Sequence, residues 1–326
     1  MKIIWKGAKP KARVFRIFFH ADPDRLADLT AKAAGATRER AASYSREFTE
    51  ILEDICIDGV WKRTSWGRLR ETERAIVKYL TSNRVARDRK GTLRILDVGA
   101  SDGATSVNLL GAARRAHPAP IELTLADLNV ELHRFRKGLV VEYRSARGDP
   151  VMVAFGRIGI RLPHSEHSWN WLSNRIARWY LQQDELRASL REDGKVPLVN
   201  PIATCDSAIR AIQLNCLTFE PSLAASFDVI RASNLISPRY GFEGKRLETC
   251  LSNFHAYLKE GGCLLISRND RDTEIERGSI WSRNAVGFTL IDGFGGGSEI
   301  EASVTSFQQL GRGFASSIER RSAAQA

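Results

Sequence analysis

Apolar positions fall into two periodicities along the chain. From residue 22 to 82 they recur at helical spacing. Asp22-Pro23 opens the first run, since Asp is a favoured N-cap and Pro is tolerated at the first helical position. Leu26, Leu29 and Ala33 share a face, and Gly35 can end that helix. A second helix is predicted over 38–57, with Ala41, Tyr44, Phe48, Ile51, Leu52 and Ile55 on one side and Asp58-Gly59 as its break. A third runs from about Leu69 to Ser82 and buries Leu69, Ile76 and Leu80. Between the last two, Trp61-Lys-Arg-Thr-Ser-Trp66-Gly67-Arg68 reads equally as part of a pocket lid or as a loop pinned by two tryptophans.

From residue 93 short apolar runs alternate with helices. Leu93–Val98 and Ile121–Asp127 read as strands, separated by a helix over 104–115 and a loop at Pro118 and Pro120. Residues 130–192 read as an insertion. Within it Leu139–Tyr143 is strand-like, Arg147-Gly148-Asp149-Pro150 is turn chemistry, and Val151, Val153, Phe155 and Ile158, Ile160, Leu162 alternate as a hairpin or small meander. A helix after Pro163 carries Trp169, Leu172, Ile176 and Trp179 at helical spacing, a stripe that suits either docking on a core or capping a substrate. Strands are then predicted at Val196–Val199, Ile212–Leu217 and from Phe227, with a short helix at Ser207–Ile212. The helix 244–260 has the clearest pattern (Leu247, Leu251, Phe254, Leu258), ended by Gly261-Gly262 and followed by a buried-type strand to Ser267. Strands at about 274–282 and 287–292, a glycine loop at 293–298, a helix over about 302–310 and disorder beyond Ser316 complete the pattern. Strands alternating with helices imply an α/β fold with a mostly parallel sheet. An N-terminal helical region and a hairpin-helix insertion are attached to it. The implied division is 1–90 as a basic arm and helical cap, 91–312 as the sheet domain with its insertion at about 130–195, and 313–326 as a flexible tail.

Composition changes this picture little. Of 326 residues 43% are hydrophobic, which suits a globular chain. The five cysteines form no CxxC pair and none sits at ligand spacing with a histidine, which argues against structural zinc and a disulfide framework. No apolar run approaches the ~18 residues that a membrane span needs. Met1-Lys-Ile-Ile-Trp-Lys lacks the apolar core of a signal peptide, so a cytoplasmic protein is expected. The net charge of +11 permits contact with nucleic acid, anionic lipid or acidic protein. Residues 1–20 hold six Lys and Arg and no acid, interleaved later with Val14, Phe15, Ile17, Phe18 and Phe19. They read as a docked N-terminal element or a surface-binding arm. The basic residues form no evident RNA-binding motif.

The candidate chemistry centres on Leu93-Arg-Ile-Leu-Asp97-Val-Gly99-Ala-Ser101-Asp-Gly103-Ala. A strand, a small-residue turn and a helix N-terminus offer backbone N–H groups to a nucleotide-like ligand. Three segments in order resemble the class I S-adenosylmethionine-dependent methyltransferases. Asp97-Val-Gly99-Ala-Ser101-Asp-Gly103 looks like that family's D/E-x-G-x-G-x-G loop. Asp127 closes the second strand. Phe227-Asp228-Val-Ile and Leu258-Lys-Glu-Gly-Gly262-Cys-Leu-Leu-Ile look like its fourth strand, helix end and fifth strand. The resemblance covers about 91–137 and 196–292. It implies an α/β, Rossmann-like, mostly parallel sheet of seven strands with helices on both faces, and S-adenosyl-L-methionine as cofactor, held by Asp97, Gly99, Ala100, Ser101, Gly103, Asp127, Leu128, Asn215 and Cys216. Asp97 would reach the methionine ammonium directly or through water, Asp127 both ribose hydroxyls and Asn215 the adenine.

Departures from the family's pattern are visible. Ser101 replaces the usual middle glycine, Asn215-Cys216 stands where an acid is usual, and the link after Ser267 is too short for a helix. No metal is implied. Methyl transfer from a sulfonium needs alignment more than a base, so no triad is required. Asn234 is the candidate at the reacting end, with Ser237, Arg239 and Tyr240 nearby. Of the histidines (His20, His117, His133, His164, His167 and His255), His255 lies off the reactive edge, and His164 and His167 border the insertion. The expected acceptor is an O or N nucleophile of a small molecule, with RNA or protein as the alternative. Two rivals stand beside this reading: a dinucleotide oxidoreductase, whose fingerprint is only partly met, and a cofactor-binding protein without catalysis.

Overall fold

The structure, a computed structural model, describes residues 23–53, 55–57, 60–62, 64, 66–82, 91–156, 158–162, 171–270 and 275–307. The expectations for 1–20, His164, His167, Trp169 and the tail beyond 307 lie outside the described residues.

The helices in chain order are α1 (Pro23–Ala33), α2 (Arg38–Leu52), α3 (Arg70–Ser82), α4 (Ala104–Ala116), α5 (Trp171–Leu181), α6 (Asp184–Ala188), α7 (Pro201–Thr204) and α8 (Gly244–Tyr257), with a further helical segment at 301–307. The strands are β1 (Cys56–Ile57), β2 (Val60–Trp61), β3 (Leu93–Val98), β4 (Ile121–Asp127), β5 (Glu131–Lys137), β6 (Val140–Arg144) and β7 (Pro150–Phe155). They continue with β8 (Ile158–Arg161), β9 (Arg191–Pro197), β10 (Ile209–Gln213), β11 (Phe227–Ser233), β12 (Leu258–Asn269), β13 (Glu276–Asn284) and β14 (Gly287–Phe294). The chain divides into two compact units, and that containing 131–198 also takes in residues up to 32 and 46–63.

The larger unit holds a seven-stranded sheet in the order β10-β4-β3-β11-β12-β13-β14. The first five strands are parallel; β13 and β14 are antiparallel additions. Side chains alternate between two apolar layers, as strand geometry requires. Ile95, Val229, Cys263 and Leu265 face α3 and α4, whose Ile76, Leu80, Val107, Leu110 and Ala113 complete that layer. Leu96, Ile230, Ala232, Leu264 and Ile266 face α8 through Leu247, Leu251 and Phe254, with Val304 and Phe307 beyond. After Ser267 the next strand, β13, pairs antiparallel with β12, from Cys263 opposite Ser282 to Asn269 opposite Glu276.

Three expectations shift here. Strand β10 ends at Gln213 rather than 217, and 209–212 is strand rather than helix. The predicted helix at 207–212 is corrected to α7, where Asn200 Oδ1 accepts from the Ile202 N–H at 3.2 Å and caps a Pro-initiated turn. Helix α8 ends at Tyr257, so Gly261-Gly262 falls inside β12. There an added Cβ on Gly262 would lie 2.8 Å from the Lys259 carbonyl oxygen.

The smaller unit carries a five-stranded antiparallel sheet, β8-β7-β6-β5-β9. Strands β5 and β9 escape the apolar pattern because ion pairs join them. His133 meets Glu192 at 2.7 Å, Arg134 meets Asp193 at 2.7 Å, and Lys195 meets Glu131. Helix α2 stops at Leu52, short of the expected 57, and Cys56–Ile57 pairs with Val60–Trp61 instead. Of the expected stripe on α5, Ile176 packs against the cluster of Val153, Ile160, Ala177 and Tyr180, whereas Trp179 is half exposed. Tyr180 Oη donates to the buried Glu142 at 2.8 Å, which also pairs with Arg144 and Arg187.

His255 on α8 packs edge-on against Phe288, with ring centroids 5.4 Å apart, and its Nε2 lies 2.9 Å from the Asn284 carbonyl. Burial holds its pKa below the ordinary histidine value. The folded protein therefore binds this proton less readily than the unfolded chain, and stability falls as pH drops below the unfolded value of about 6.5. Urea midpoints of wild type and His255→Leu between pH 8 and 5 should show the wild type losing stability relative to the variant over that range.

Candidate functional site

The chain runs from β3 to β4 and β10 on one side, then returns to β11 on the other side of β3. The order of the sheet thus reverses between β3 and β11, and such a switch point opens a crevice at the carboxyl ends of the strands. Residues 98–103 occupy it. Gly99 (φ +70°), Ser101 (φ +60°) and Gly103 (φ +83°) all take left-handed backbone. Gly99 needs its missing Cβ because Leu235 would lie 3.1 Å away; at Gly103 a Cβ would run into Leu125 Cδ1. Ser101 adopts the left-handed conformation without being glycine, which costs roughly 1–2 kcal/mol.

Hydrogen bonds brace this loop from beneath. The Gly99 and Ala100 N–H groups both point to the Ala126 carbonyl, at 2.8 and 3.3 Å. Asp102 is fully buried. Its Oδ1 accepts from the Ala104 N–H at 2.9 Å, its Oδ2 from Asn200 Nδ2 at 3.2 Å, and its carbonyl from the Asn200 N–H at 2.7 Å. At the end of β4, Asp127 Oδ2 accepts from the Ser101 N–H at 2.9 Å and Oδ1 from the Asn129 N–H at 3.0 Å. Ser101 Oγ is buried in the loop with no hydrogen-bond partner. Ala100 is buried and Leu128 half-buried beside Asp127.

Asp97 sits differently from the expectation. It is 1% exposed, and both its oxygens are engaged within the protein. Arg231 Nε donates to Oδ1 at 2.8 Å, while Arg231 Nη2 and Ser106 Oγ both donate to Oδ2. Arg231 is also 1% exposed and lies directly across from Asp97 in the β11–β3 register. It reaches on to Thr105 in the first turn of α4. Arg68 and Glu73 belong to the same electrostatic neighbourhood. Burial lowers the Arg68 pKa and raises that of Glu73, with the Arg231 charge opposing the Glu73 shift.

The end of β11 is tied by amides. Asn234 (φ +57°) accepts from the Asn269 N–H at 2.8 Å and donates to Asn269 Oδ1 at 3.2 Å, and its own N–H reaches the Ser267 carbonyl. Ser237 Oγ caps the short turn Pro238–Tyr240. Ser233, Ser267 and Thr72 form a hydrogen-bonded string leading to Glu276, whose oxygens accept from the Glu71 and Thr72 N–H groups at 2.9 and 2.8 Å and cap α3.

At the outer side, β10 ends opposite Asp127, and Asn215 just beyond it accepts from the Leu217 N–H at 3.1 Å. The Cys216 side chain lies in the apolar layer under α8 rather than on the edge. A hydrogen bond with Cys250 holds its pKa below the usual thiol range, whereas burial pushes Cys250 above it. Of the histidines, His117 is buried at the end of α4, at the opposite edge, and His133 is in the smaller unit.

The structure therefore gathers Gly99, Ala100, Ser101, Gly103, Asp127 and Leu128 at one crevice, with Asn215 at its outer side. It turns Asp97 and Cys216 inward. Asp102, Asn200 and Arg231 are site-building residues that pattern reading passed over. Arg231 carried a signal, being the one charge in the second half of an otherwise apolar and small run, Val-Ile-Arg-Ala-Ser.

No family model and no curated protein matches the chain. Solved structures do. The chain is similar to the CMeT domain of the citrinin polyketide synthase (18% identity, TM-score 0.32, covering 61% of this chain and 34% of that one). It is similar to phosphoethanolamine N-methyltransferase 2 of Haemonchus contortus bound to S-adenosyl-L-methionine (16% identity, TM-score 0.27, 82% and 37%). It is also similar to the DszA carbon methyltransferase (17% identity, TM-score 0.31, 77% and 52%). The chain thus spans about a third to a half of the lengths of these three structures. Likenesses at this level do not decide an activity; the residues of the crevice have to.

Gly99→Ala and Gly103→Ala should both carry left-handed strain of about 1–2 kcal/mol, and Gly103→Ala should destabilise more because its Cβ adds an overpacking cost of about 1–3 kcal/mol against Leu125. Urea unfolding of both variants, and of Gly103→Ala with Leu125→Ala to make room, checks this. With Leu125→Ala measured alone as well, the double variant should lose less stability than the sum of the two single variants, because the smaller side chain removes the clash.

Proposed function

We propose that this chain is a class I S-adenosylmethionine-dependent methyltransferase. The observation that carries the reading is the joint geometry of Asp127 and Ser101 at the switch point. Asp127 stands at the end of β4 with its two oxygens accepting the Ser101 and Asn129 N–H groups, which fixes the carboxylate at the switch point. A vicinal diol of a ribose matches two such acceptors. The buried Ser101 hydroxyl, unpartnered within the protein, is an orphaned polar atom that a nucleoside ligand would satisfy. The glycine backbone and the N-terminus of α4 allow close approach by the remaining polar part of that ligand. These residues fit S-adenosyl-L-methionine. In this reading Asn215, just past the end of β10, would reach the base.

The bound cofactor would supply an already activated methyl group. This chain's residues then have to hold the cofactor, orient the acceptor in line with the methyl carbon and exclude water. A base is needed only where the acceptor must lose a proton. The amide of Asn234 is spent on Asn269, so its role in this reading is to fix the end of β11 rather than to touch the acceptor. The acceptor is an O or N nucleophile of a small molecule. That assignment rests on the lack of an RNA-binding motif, with RNA or protein as the alternative acceptor.

Calorimetry tests the cofactor. The protein should bind S-adenosylmethionine and not NADH, and the reverse result refutes the reading. Asp127→Ala should weaken cofactor binding by about 1–3 kcal/mol, the worth of charged hydrogen bonds. Ser101→Gly should raise the stability of the ligand-free protein by about 1 kcal/mol, by relieving the left-handed serine, and should lower cofactor affinity. Incubation with labelled cofactor and a host extract fractionated into small molecules, protein and RNA tests the acceptor. Label confined to RNA refutes the small-molecule assignment.

A further inference from the structure

We infer that Arg231 is a positioning residue of this site, and that Asp97 serves the ligand through Arg231 and the loop without touching it. The inference rests on the proposed cofactor reading and deepens it. Residues 98–103 have two ends. Asp97 leads into the loop from β3, and Thr105 and Ser106 follow it in the first turn of α4. Arg231 joins both ends. Its Nε and Nη2 donate to the two oxygens of Asp97, its Nη2 to Thr105 Oγ1 at 3.2 Å and its Nη1 to the Thr105 carbonyl at 3.5 Å. Ser106 Oγ closes the ring by donating to Asp97 Oδ2. The loop that carries Gly99, Ser101 and Gly103 is thus held between two points by one planar fork.

The chemistry of arginine suits this task. A guanidinium presents five donors in a fixed plane, so one side chain can hold a carboxylate with two bonds and a second partner beside it. A lysine is a point charge on a flexible stem and cannot span the same pair. Asp97 is 1% exposed and its oxygens already accept three hydrogen bonds. An ammonium group on a ligand would have to compete with a bidentate arginine, at the further cost of separating a buried ion pair. The direct role that the sequence resemblance implies for Asp97 is therefore taken over by an internal cation from the neighbouring strand.

The test uses two ligands that differ only in the amino-acid portion. S-adenosylhomocysteine carries the ammonium and carboxylate; 5′-methylthioadenosine has the same nucleoside and thioether without them. Affinities are measured by calorimetry on folded wild type, Asp97→Asn, Arg231→Lys and Ser106→Ala, with circular dichroism and urea midpoints in parallel. The positioning role predicts that each variant loses affinity for both ligands by the same factor, about tenfold or more for the two ion-pair variants, as expected for a displaced binding loop. Ser106→Ala removes no buried charge and is the variant that keeps the test open if the others do not fold. It should lose affinity by a smaller but again equal factor. Amide exchange at Gly99–Gly103 should speed up in the same variants.

A loss for S-adenosylhomocysteine in Asp97→Asn or Ser106→Ala at least tenfold larger than for methylthioadenosine would overturn the inference, because Asp97 would then contact the amino-acid portion. Unchanged affinity for both ligands in every folded variant would overturn it as well. If wild type binds neither ligand, the cofactor reading itself fails, and that outcome is distinct from the other two.

Discussion

The buried ion pair between Arg231 and Asp97 is the constraint on which the larger unit depends. Burying each charge costs several kcal/mol, and mutual attraction offsets this only if the remaining donors and acceptors are satisfied. Here they are supplied from three elements: Asp97 from β3, Arg231 from β11, and Thr105 and Ser106 from α4. None of these can slide without leaving a charge uncompensated in an apolar layer. The pair therefore fixes the register of the two central strands and the start of α4 together. Apolar packing alone would tolerate small displacements at the same place.

The carboxyl edge of the sheet is otherwise assembled by short polar links. Glu276 from β13 caps α3, and the Thr72, Ser267 and Ser233 string ties that cap to the ends of β12 and β11. Asn234 and Asn269 lock the last residues of the same two strands. The opposite edge has links of its own: the buried Asp228 accepts from the Arg94 N–H at 2.8 Å and from Lys259 Nζ at 3.0 Å, and the Tyr79 hydroxyl donates to the Gly261 carbonyl at 2.9 Å. Polar groups at a sheet edge need partners, and an edge whose groups are mutually satisfied is held in one geometry. A rigid edge is what a site built on loops requires.

Much of this was legible in the sequence because it follows apolar period. The parallel strands, α4, α8 and the short link into β13 are written in alternation, helical spacing and the shortness of that link. What escaped was specified by charge. Strands β5 and β9 are held by Arg134, Asp193, His133 and Glu192, so they show no apolar alternation to read. The hydrogen bond from Tyr180 on α5 to the buried Glu142 has no signature in the apolar stripe either. The resemblance puts Cys216 at the site because Asn215-Cys216 stands where the family has an acid, but β10 ends at Gln213 and the Cys216 side chain lies in the apolar layer under α8. Asp97 was legible as a motif residue but not as a partner of Arg231, because a cross-strand pair separated by 134 positions has no local signature.

Ser101 shows what these constraints are for. A serine in left-handed backbone persists only where its surroundings over-determine the conformation. Asp127 holds its N–H from one side, Asp102 and Asn200 fix the next residue, and the arginine clamp closes the loop at both ends. The hydroxyl is then left buried and unpartnered in a crevice whose backbone is already set. Ordering a loop on binding costs affinity, and a loop ordered beforehand spares that cost. The strain at Ser101 and the desolvation of Asp97 and Arg231 are thus expressed in the folded protein rather than charged to each binding event. The same logic explains why a carboxylate at the head of the loop is more useful paired inward. Facing the crevice it would hold one group of a ligand, whereas facing Arg231 it holds the whole loop that receives it.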